Sequence, residues 1–257
     1  MKDVKKSPLR KWLSRVITVT CIAVFVYAAY GLGEIAIDYY KNRKMLSEIQ
    51  EKFYDSAHAL GEVNDDGSVR SGFDQLLEEN EDAVGWLTID GTQIDYPVVQ
   101  ADDNEQYLTC NFYLEETRAG SIFLDYRNDI DALDEEKNII VYGHRMKDGS
   151  MFQHLTKFLD EDFFHEHKTF TFDTLYESYE AEVFAVYHTL TAFDYIQTDF
   201  ATDEAYEELL TDIKEMSKFT SDVDVTTDDQ IITLSTCDYE LDQDEGRLVL
   251  QAKLVKK

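Results

Sequence analysis

Between residues 84 and 255 the apolar positions fall in short runs with a period close to two, separated by turn-forming residues. They predict eight strands, at 84–89, 94–99, 120–125, 138–143, 168–175, 179–190, 230–237 and 247–255. Eight strands joined mostly by short links describe a mainly β fold closed, or nearly closed, into a barrel. Asp90-Gly91 supplies a hairpin turn between the first two. Two stretches switch to a helical period, Ser150–Glu166 and Thr202–Phe219. In the second, Ala205, Leu209, Ile213 and Met216 trace one stripe, which reads as a face packed on the barrel. Ahead of the strands, Glu34–Leu60 reads as a helical stalk, Asn64–Gly72 as turns, and Phe73–Asp82 as a short amphipathic helix with Phe73, Leu76 and Leu77 on one face.

One stretch is apolar all round. Val16–Gly33 is uncharged and would span ~27 Å as a helix, close to the hydrocarbon thickness of a bilayer. Lys2, Lys5, Lys6, Arg10, Lys11 and Arg15 precede it, and Glu34 and Asp38 follow. That asymmetry predicts a single-pass protein with a cytoplasmic amino terminus and an external carboxyl-terminal domain; a cleaved signal peptide is the competing reading. The expected organisation is a basic cytoplasmic segment over 1–15, a transmembrane anchor over 16–37, an extracellular stalk with amino-terminal helices over 38–83, and a β-barrel over 84–257.

Composition narrows the partners. A net charge of −29 excludes nucleic acid as a natural partner, and 44% hydrophobic residues suffice for a real core. Of three cysteines, Cys21 lies in the apolar run, and Cys110 and Cys237 are too few for a disulfide framework. Zinc-binding spacings are absent, and the acidic loop Asp238–Gly246 lacks the glycine position and terminal glutamate of a calcium-binding loop. His165 and His167 flank Glu166 on diverging directions and read as solvated. No metal or cofactor is expected.

The candidate chemistry comes from alternation. Ile232 and Leu234 share a strand face with Thr236; Ile231, Thr233, Ser235 and Cys237 take the other. In the next strand Leu248, Leu250, Ala252 and Leu254 form the core side, and Arg247, Val249, Gln251 and Lys253 oppose them. Cys237 and Arg247 should therefore face each other across a hairpin mouth and point to a groove on the sheet. Together with His144 they supply a nucleophile, a proton carrier and an oxyanion donor for thiol-based acyl transfer. A small buried cysteine is the bland alternative, and its place beside a polar loop argues against it.

Four sets of residues resemble class B sortases, in the family's order. They are Thr233–Tyr239 with Gly246-Arg247, Tyr142–Phe152, Ala119–Asn128, and Gly85-Trp86-Leu87 with Ile94–Val99. The resemblance implies a closed eight-stranded sortase-type barrel with amino-terminal helices and a helix inserted before the cysteine-bearing strand. It implies Cys237 as nucleophile, His144 as general acid/base and Arg247 as oxyanion and substrate stabiliser. For the peptide groove it implies Asn104, Leu108, Thr191, Tyr195, Ser235 and Asp238. The implied partners are an Asn-Pro-x-Thr-like sorting signal on secreted proteins and an amine of peptidoglycan or its lipid-linked precursor, on a Gram-positive-type cell surface. Two other readings stay open: a hydrolytic cysteine protease, and a membrane-tethered binding barrel with an inert thiol.

Overall fold

The computed structural model describes residues 8–57 and 68–257. Eight strands form, β1 (Ala83–Thr88), β2 (Asp95–Val99), β3 (Ile122–Leu124), β4 (Asn138–Tyr142), β5 (Thr169–Thr174), β6 (Ser178–Leu190), β7 (Ile231–Cys237) and β8 (Gly246–Lys256). They close into a barrel in the order β1-β2-β3-β4-β7-β8-β6-β5. The expected strands are all present, with ends shifted by two residues at most. Ile89 N donates to Ile94 O at 2.9 Å, and Gly91 takes φ 74°, as the turn between β1 and β2 requires.

Strand direction decides where chemistry can gather. β4 runs parallel to β7, with Tyr142 opposite Ser235, and β8 runs antiparallel to β7, with Cys237 opposite Arg247. The carboxyl ends of β4 and β7 and the start of β8 thus meet at one rim. Parallel neighbours cannot be joined by a tight turn, so the chain between them must leave and return. The β4–β7 connection holds β5, β6 and the insertion 191–230.

That insertion corrects one expectation. Val141, Ile232, Leu234, Leu250 and Ala252 fill the barrel interior without exposure, as predicted for the even face of β7 and β8. The opposite face is not an open groove along its length. Helix α5 (Asp203–Met216) lies over it, and Tyr206, Leu209, Leu210 and Ile213 pack with Tyr187, Ile231 and Val249. The buried stripe therefore turns toward Tyr206 and Leu210, leaving Met216 36% exposed. Polar residues trapped beneath are paired. Asn138 donates to Tyr195 O and Gln197 O at 3.0 Å each and accepts from Thr233 Oγ1 at 2.7 Å; Gln251 donates to Thr233 Oγ1 at 2.9 Å and accepts from Tyr187 at 2.9 Å. A buried amide left unpaired would cost about 1–3 kcal/mol, so this chain of bonds is what makes the polar face tolerable.

The Ser150–Glu166 stretch is a 3₁₀ helix, Phe152–Leu159, followed by a short α-helix, Glu161–Glu166. Asp160 interrupts it, its carboxylate accepting from Phe163 N at 3.1 Å to cap the second helix.

Two compact units divide the chain, residues 1–41 and 42–257, with helix Pro8–Ala57 running through both. In the first, side chains such as Val24 and Phe25 are exposed, and an eighteen-residue window within Trp12–Asp55 reaches a mean hydropathy of 2.0, long and apolar enough to cross a membrane. In the second, Met45, Leu46, Ile49 and Phe53 are buried, and Phe53 stacks on Trp86 with ring centroids 3.9 Å apart. From Asn42 onward the expected stalk is thus part of the barrel's own compact unit. The short helix Asp74–Glu79 buries Leu76 beside Phe73, as its pattern predicts. Residues 1–7 of the basic segment, the end of the stalk at 58–60 and the turn region 64–67 lie outside the described residues.

Candidate active site

A cleft of about 230 Å³ opens at the rim where β4, β7 and β8 converge, lined by Asn104, Leu108, His144, Ser235, Cys237 and Arg247, with Phe123 and Tyr142. Six of the nine residues expected from sequence are therefore together. A larger cavity of about 520 Å³ lies among Asp131, Asp134, Tyr176 and Glu177, with neither thiol nor imidazole in its lining. Chemistry rather than volume marks the first as the candidate site.

His144 follows β4 by two residues, and Gly143 N donates to Ser235 O at 3.2 Å to carry the β4–β7 ladder one step further. A side chain on Gly143 would run into Ile122 and Phe152, so glycine lets the chain pass close to the core here. The imidazole Nε2 bonds Leu108 O at 2.7 Å; the carbonyl only accepts, so Nε2 carries a proton. The ring shares the cleft lining with Cys237. The Cys237 thiol is the largest influence on His144, raising its affinity for a proton against the cost of burial, with help from Leu108 O. The imidazole likewise holds the Cys237 thiol below its ordinary range, against burial and the adjacent Asp238 charge, with Arg247 aiding. Both shifts favour thiolate beside imidazolium.

Arg247 is oriented by its own loop, Nη1 donating to Asp244 O at 3.0 Å and Gly246 O at 2.8 Å. Asn104 is held on the opposite wall, donating to Asp125 Oδ2 at 3.0 Å and accepting from Tyr126 N at 3.1 Å. Asp125 is wholly buried and also receives Arg127 through Nε at 2.8 Å and Nη2 at 2.7 Å, and the Tyr142 hydroxyl at 2.8 Å. Burial alone would push the Asp125 carboxyl up, but the Arg127 and Tyr142 bonds hold it below the usual range. Arg127 Nη2 also donates to Ile196 O at 3.0 Å, tying this wall to the β6–β7 segment.

The other expected groove residues are placed differently. The Tyr195 hydroxyl lies 2.8 Å from Ser235 Oγ, but Tyr195 is buried behind the cleft within the α5 cluster. Thr191 is exposed and outside the cleft lining; its N donates to Glu245 O at 3.1 Å, joining two loops. Asp238 is buried and also outside the lining. Its carboxylate is taken up instead by Arg145 and by the Glu240 N–H. Sequence reading missed Phe123, Tyr142, Asp125 and Arg127. All four sit in the segments 119–128 and 142–152, where the signal was available but their side-chain direction was not.

A thiol, an imidazole and a guanidinium at one rim of a closed barrel can carry out thiol-based acyl transfer. The sequence profile of the sortase domain family matches residues 87–255. Sortase B of Listeria monocytogenes is 44% identical over 249 residues, covering 97% of this chain and 99% of its own length. Among solved structures, sortase B from Bacillus anthracis in complex with AAEK1 is 50% identical with a TM-score of 0.78, covering 86% of this chain and 99% of that one. The Staphylococcus aureus sortase B–substrate complex is 38% identical with a TM-score of 0.79, again covering 86% and 99%. The chain belongs to the sortase family of cysteine transpeptidases, and within it to class B.

Proposed function

We propose that Cys237 is the nucleophile, His144 the general acid/base and Arg247 the oxyanion donor in a reaction that cleaves an Asn-Pro-x-Thr-like sorting signal after threonine. The observation that carries this reading is the convergence of the three side chains on one cleft, where the neighbouring imidazole lowers the thiol's proton affinity. The Cys237 sulfur attacks the threonine carbonyl. Arg247, with Nη1 fixed by two backbone carbonyls, offers its remaining N–H groups to the developing oxyanion. His144 protonates the departing amine, leaving a thioacyl enzyme, then takes a proton from the incoming amine as it attacks the thioester. The thiol is released and a new amide joins donor to acceptor.

Asn104, Leu108 and Ser235 line the same cleft and are positioned to contact the peptide; Tyr195 supports its wall through Ser235, and Thr191 ties the neighbouring loops together. The acceptor is an amine of peptidoglycan or its lipid-linked precursor. The apolar helix segment 16–37 anchors the chain in the membrane with its amino terminus in the cytoplasm, so the barrel meets secreted clients outside. Mass spectrometry of products from a panel of Asn-Pro-x-Thr-type peptides, with and without candidate amines, tests the reading. Amide product and a trapped thioacyl adduct on Cys237 support it. Hydrolysis alone in the presence of every amine would make the protein a protease, and retained transfer in Cys237→Ala would overturn the nucleophile assignment.

A further inference from the structure

The residue after each member of the thiol–imidazole pair is also charged, and the two meet. Arg145 Nη1 donates to Asp238 Oδ2, with the Asp238 side chain 3% exposed and that of Arg145 27%. Each partner is itself held. Asp238 Oδ1 accepts from Glu240 N at 2.8 Å, and its own N donates to Gly246 O at 2.9 Å. Arg145 Nε donates to Gln153 Oε1 at 3.3 Å, and residue 145 forms a backbone bridge with Met151. From β6, His188 faces the same carboxylate, Nδ1 lying 3.3 Å from Asp238 Oδ1 and Nε2 3.2 Å from Glu240 Oε2.

The β4–β7 ladder explains why such a bond is needed. Its last backbone link is Gly143 N to Ser235 O, one residue short of His144 and two short of Cys237. Beyond that point the two segments would be free to splay. His144 and Cys237 line the cleft and Arg145 and Asp238 do not, while β6 brings His188 to the same rim through its register with Leu248 and that of Leu248 with Thr236. We propose that the Arg145–Asp238 ion pair is a positioning latch, closing the rim behind the reactive groups so that imidazole and thiol keep their alignment through both half-reactions. This rests on Cys237 as nucleophile and His144 as its proton partner.

Two other uses of the cluster fit less well. His188, Asp238 and Glu240 offer donor atoms within 4.8 Å of one another, the spacing of a metal site. A guanidinium already occupies Asp238 Oδ2, and a metal cation would be repelled by it. A direct contact of Asp238 with the sorting peptide would need the carboxylate in the cleft, whose lining does not include it. The latch also has an electrical side. Asp238 opposes ionisation of Cys237, and Arg145 is the fixed positive charge beside that carboxylate.

The experiment uses the full chain in detergent. It follows Cys237 alkylation by iodoacetamide against pH, using mass spectrometry of the cysteine-bearing peptide, together with kcat and KM for the peptide and amine selected by the product panel. Arg145→Met should lower kcat about tenfold or more, a loss of ~1.4 kcal/mol in transition-state stabilisation, with KM within about threefold. Its alkylation profile should move to higher pH. The double variant Arg145→Met/Asp238→Asn should return the alkylation profile toward that of the parent, because both charges are gone, but not restore kcat, because the link is gone. Arg145→Lys should keep part of kcat.

Parental kcat in folded Arg145→Met, full recovery of kcat in the double variant, or a loss confined to KM would each overturn the latch. If Arg145→Met does not fold, Arg145→Lys and the double variant are judged instead: a fall in kcat at steady KM supports the latch, and parental kcat in both overturns it. His144→Ala separates the levels of inference. An unmoved alkylation profile there removes the thiol–imidazole reading and the latch with it, whereas a moved profile beside parental kcat in Arg145→Met removes the latch alone.

Discussion

Two pairs of polar side chains leave the same two chain segments one residue apart, and they are built for opposite ends. Cys237 and His144 are half-buried and face a common cleft of about 230 Å³. Asp238 is buried, and with Arg145 it forms an ion pair whose carboxylate is further satisfied by a backbone N–H. The first pair keeps open valences toward a substrate; the second spends them internally. The lesson is that the partners each side chain meets in the fold, rather than its residue type, assigned the roles. An aspartate beside a nucleophile reads as a substrate contact in one dimension, and the fold turns it away.

The strongest way to break the comparison is at the reactive pair. Cys237→Ala should abolish thioacyl adduct and transfer while leaving the thermal midpoint within a few degrees, since the thiol is at a strand end; calorimetry with product analysis checks both. His144→Ala should cost about 10²–10⁴ in kcat, the usual range for a positioned acid/base. The same change should move Cys237 alkylation to higher pH. The sign follows from the shifts: in the parent, the imidazole holds the thiol below its ordinary range, so thiolate forms at lower pH than in a free cysteine, ordinarily about 8.5. Removing the imidazole removes the chief stabiliser and leaves burial and Asp238 opposing ionisation.

A smaller effect is expected at Gly246, where the two pairs share a backbone. An added Cβ would collide with the Asp238 and Asp242 carbonyl oxygens. Gly246→Ala should therefore displace the Cys237–Arg247 rung, lowering stability by about 1–3 kcal/mol as overpacking does, and lowering kcat with it. Chemical denaturation and steady-state kinetics read the two together. Smallest should be Tyr195→Phe, which removes the hydroxyl 2.8 Å from Ser235 Oγ behind the cleft. The expected loss is about 1 kcal/mol of stability, with kcat nearly unchanged and KM for the peptide modestly raised. A large kcat effect there would make Tyr195 part of the chemistry and blur the distinction between reactive and supporting groups.

The helix at the amino terminus shows the same dependence on neighbours. Val16–Gly33 and 42–53 both belong to the helix Pro8–Ala57, yet the first exposes its apolar side chains within its unit while the second buries Ile49 and Phe53 within its own. The difference was legible in sequence as an unbroken apolar run against an amphipathic one. What was not legible was that Arg43 in the second stretch reaches the loop after His144, bonding Asp148 Oδ2 at 3.2 Å and the Asp148 carbonyl.

The sequence by itself determined the eight strands, the apolar anchor candidate, the inward face of β7 and β8, and the identities of the thiol, imidazole and guanidinium. Those are local matters, fixed by a period of two, by turn residues, and by which side chains can do acyl transfer at all. Only the tertiary structure decided that α5 covers the odd face of β7 and β8, that Asp125 and Arg127 brace Asn104, and that Asp238 pairs with Arg145 instead of lining the cleft. Each of these joins side chains far apart in the chain: 69 residues separate Arg127 from Ile196, and 93 separate Arg145 from Asp238. Periodicity gives the face of a strand; what that face meets depends on barrel closure and on the path of the inserted segments, which no window along the chain contains.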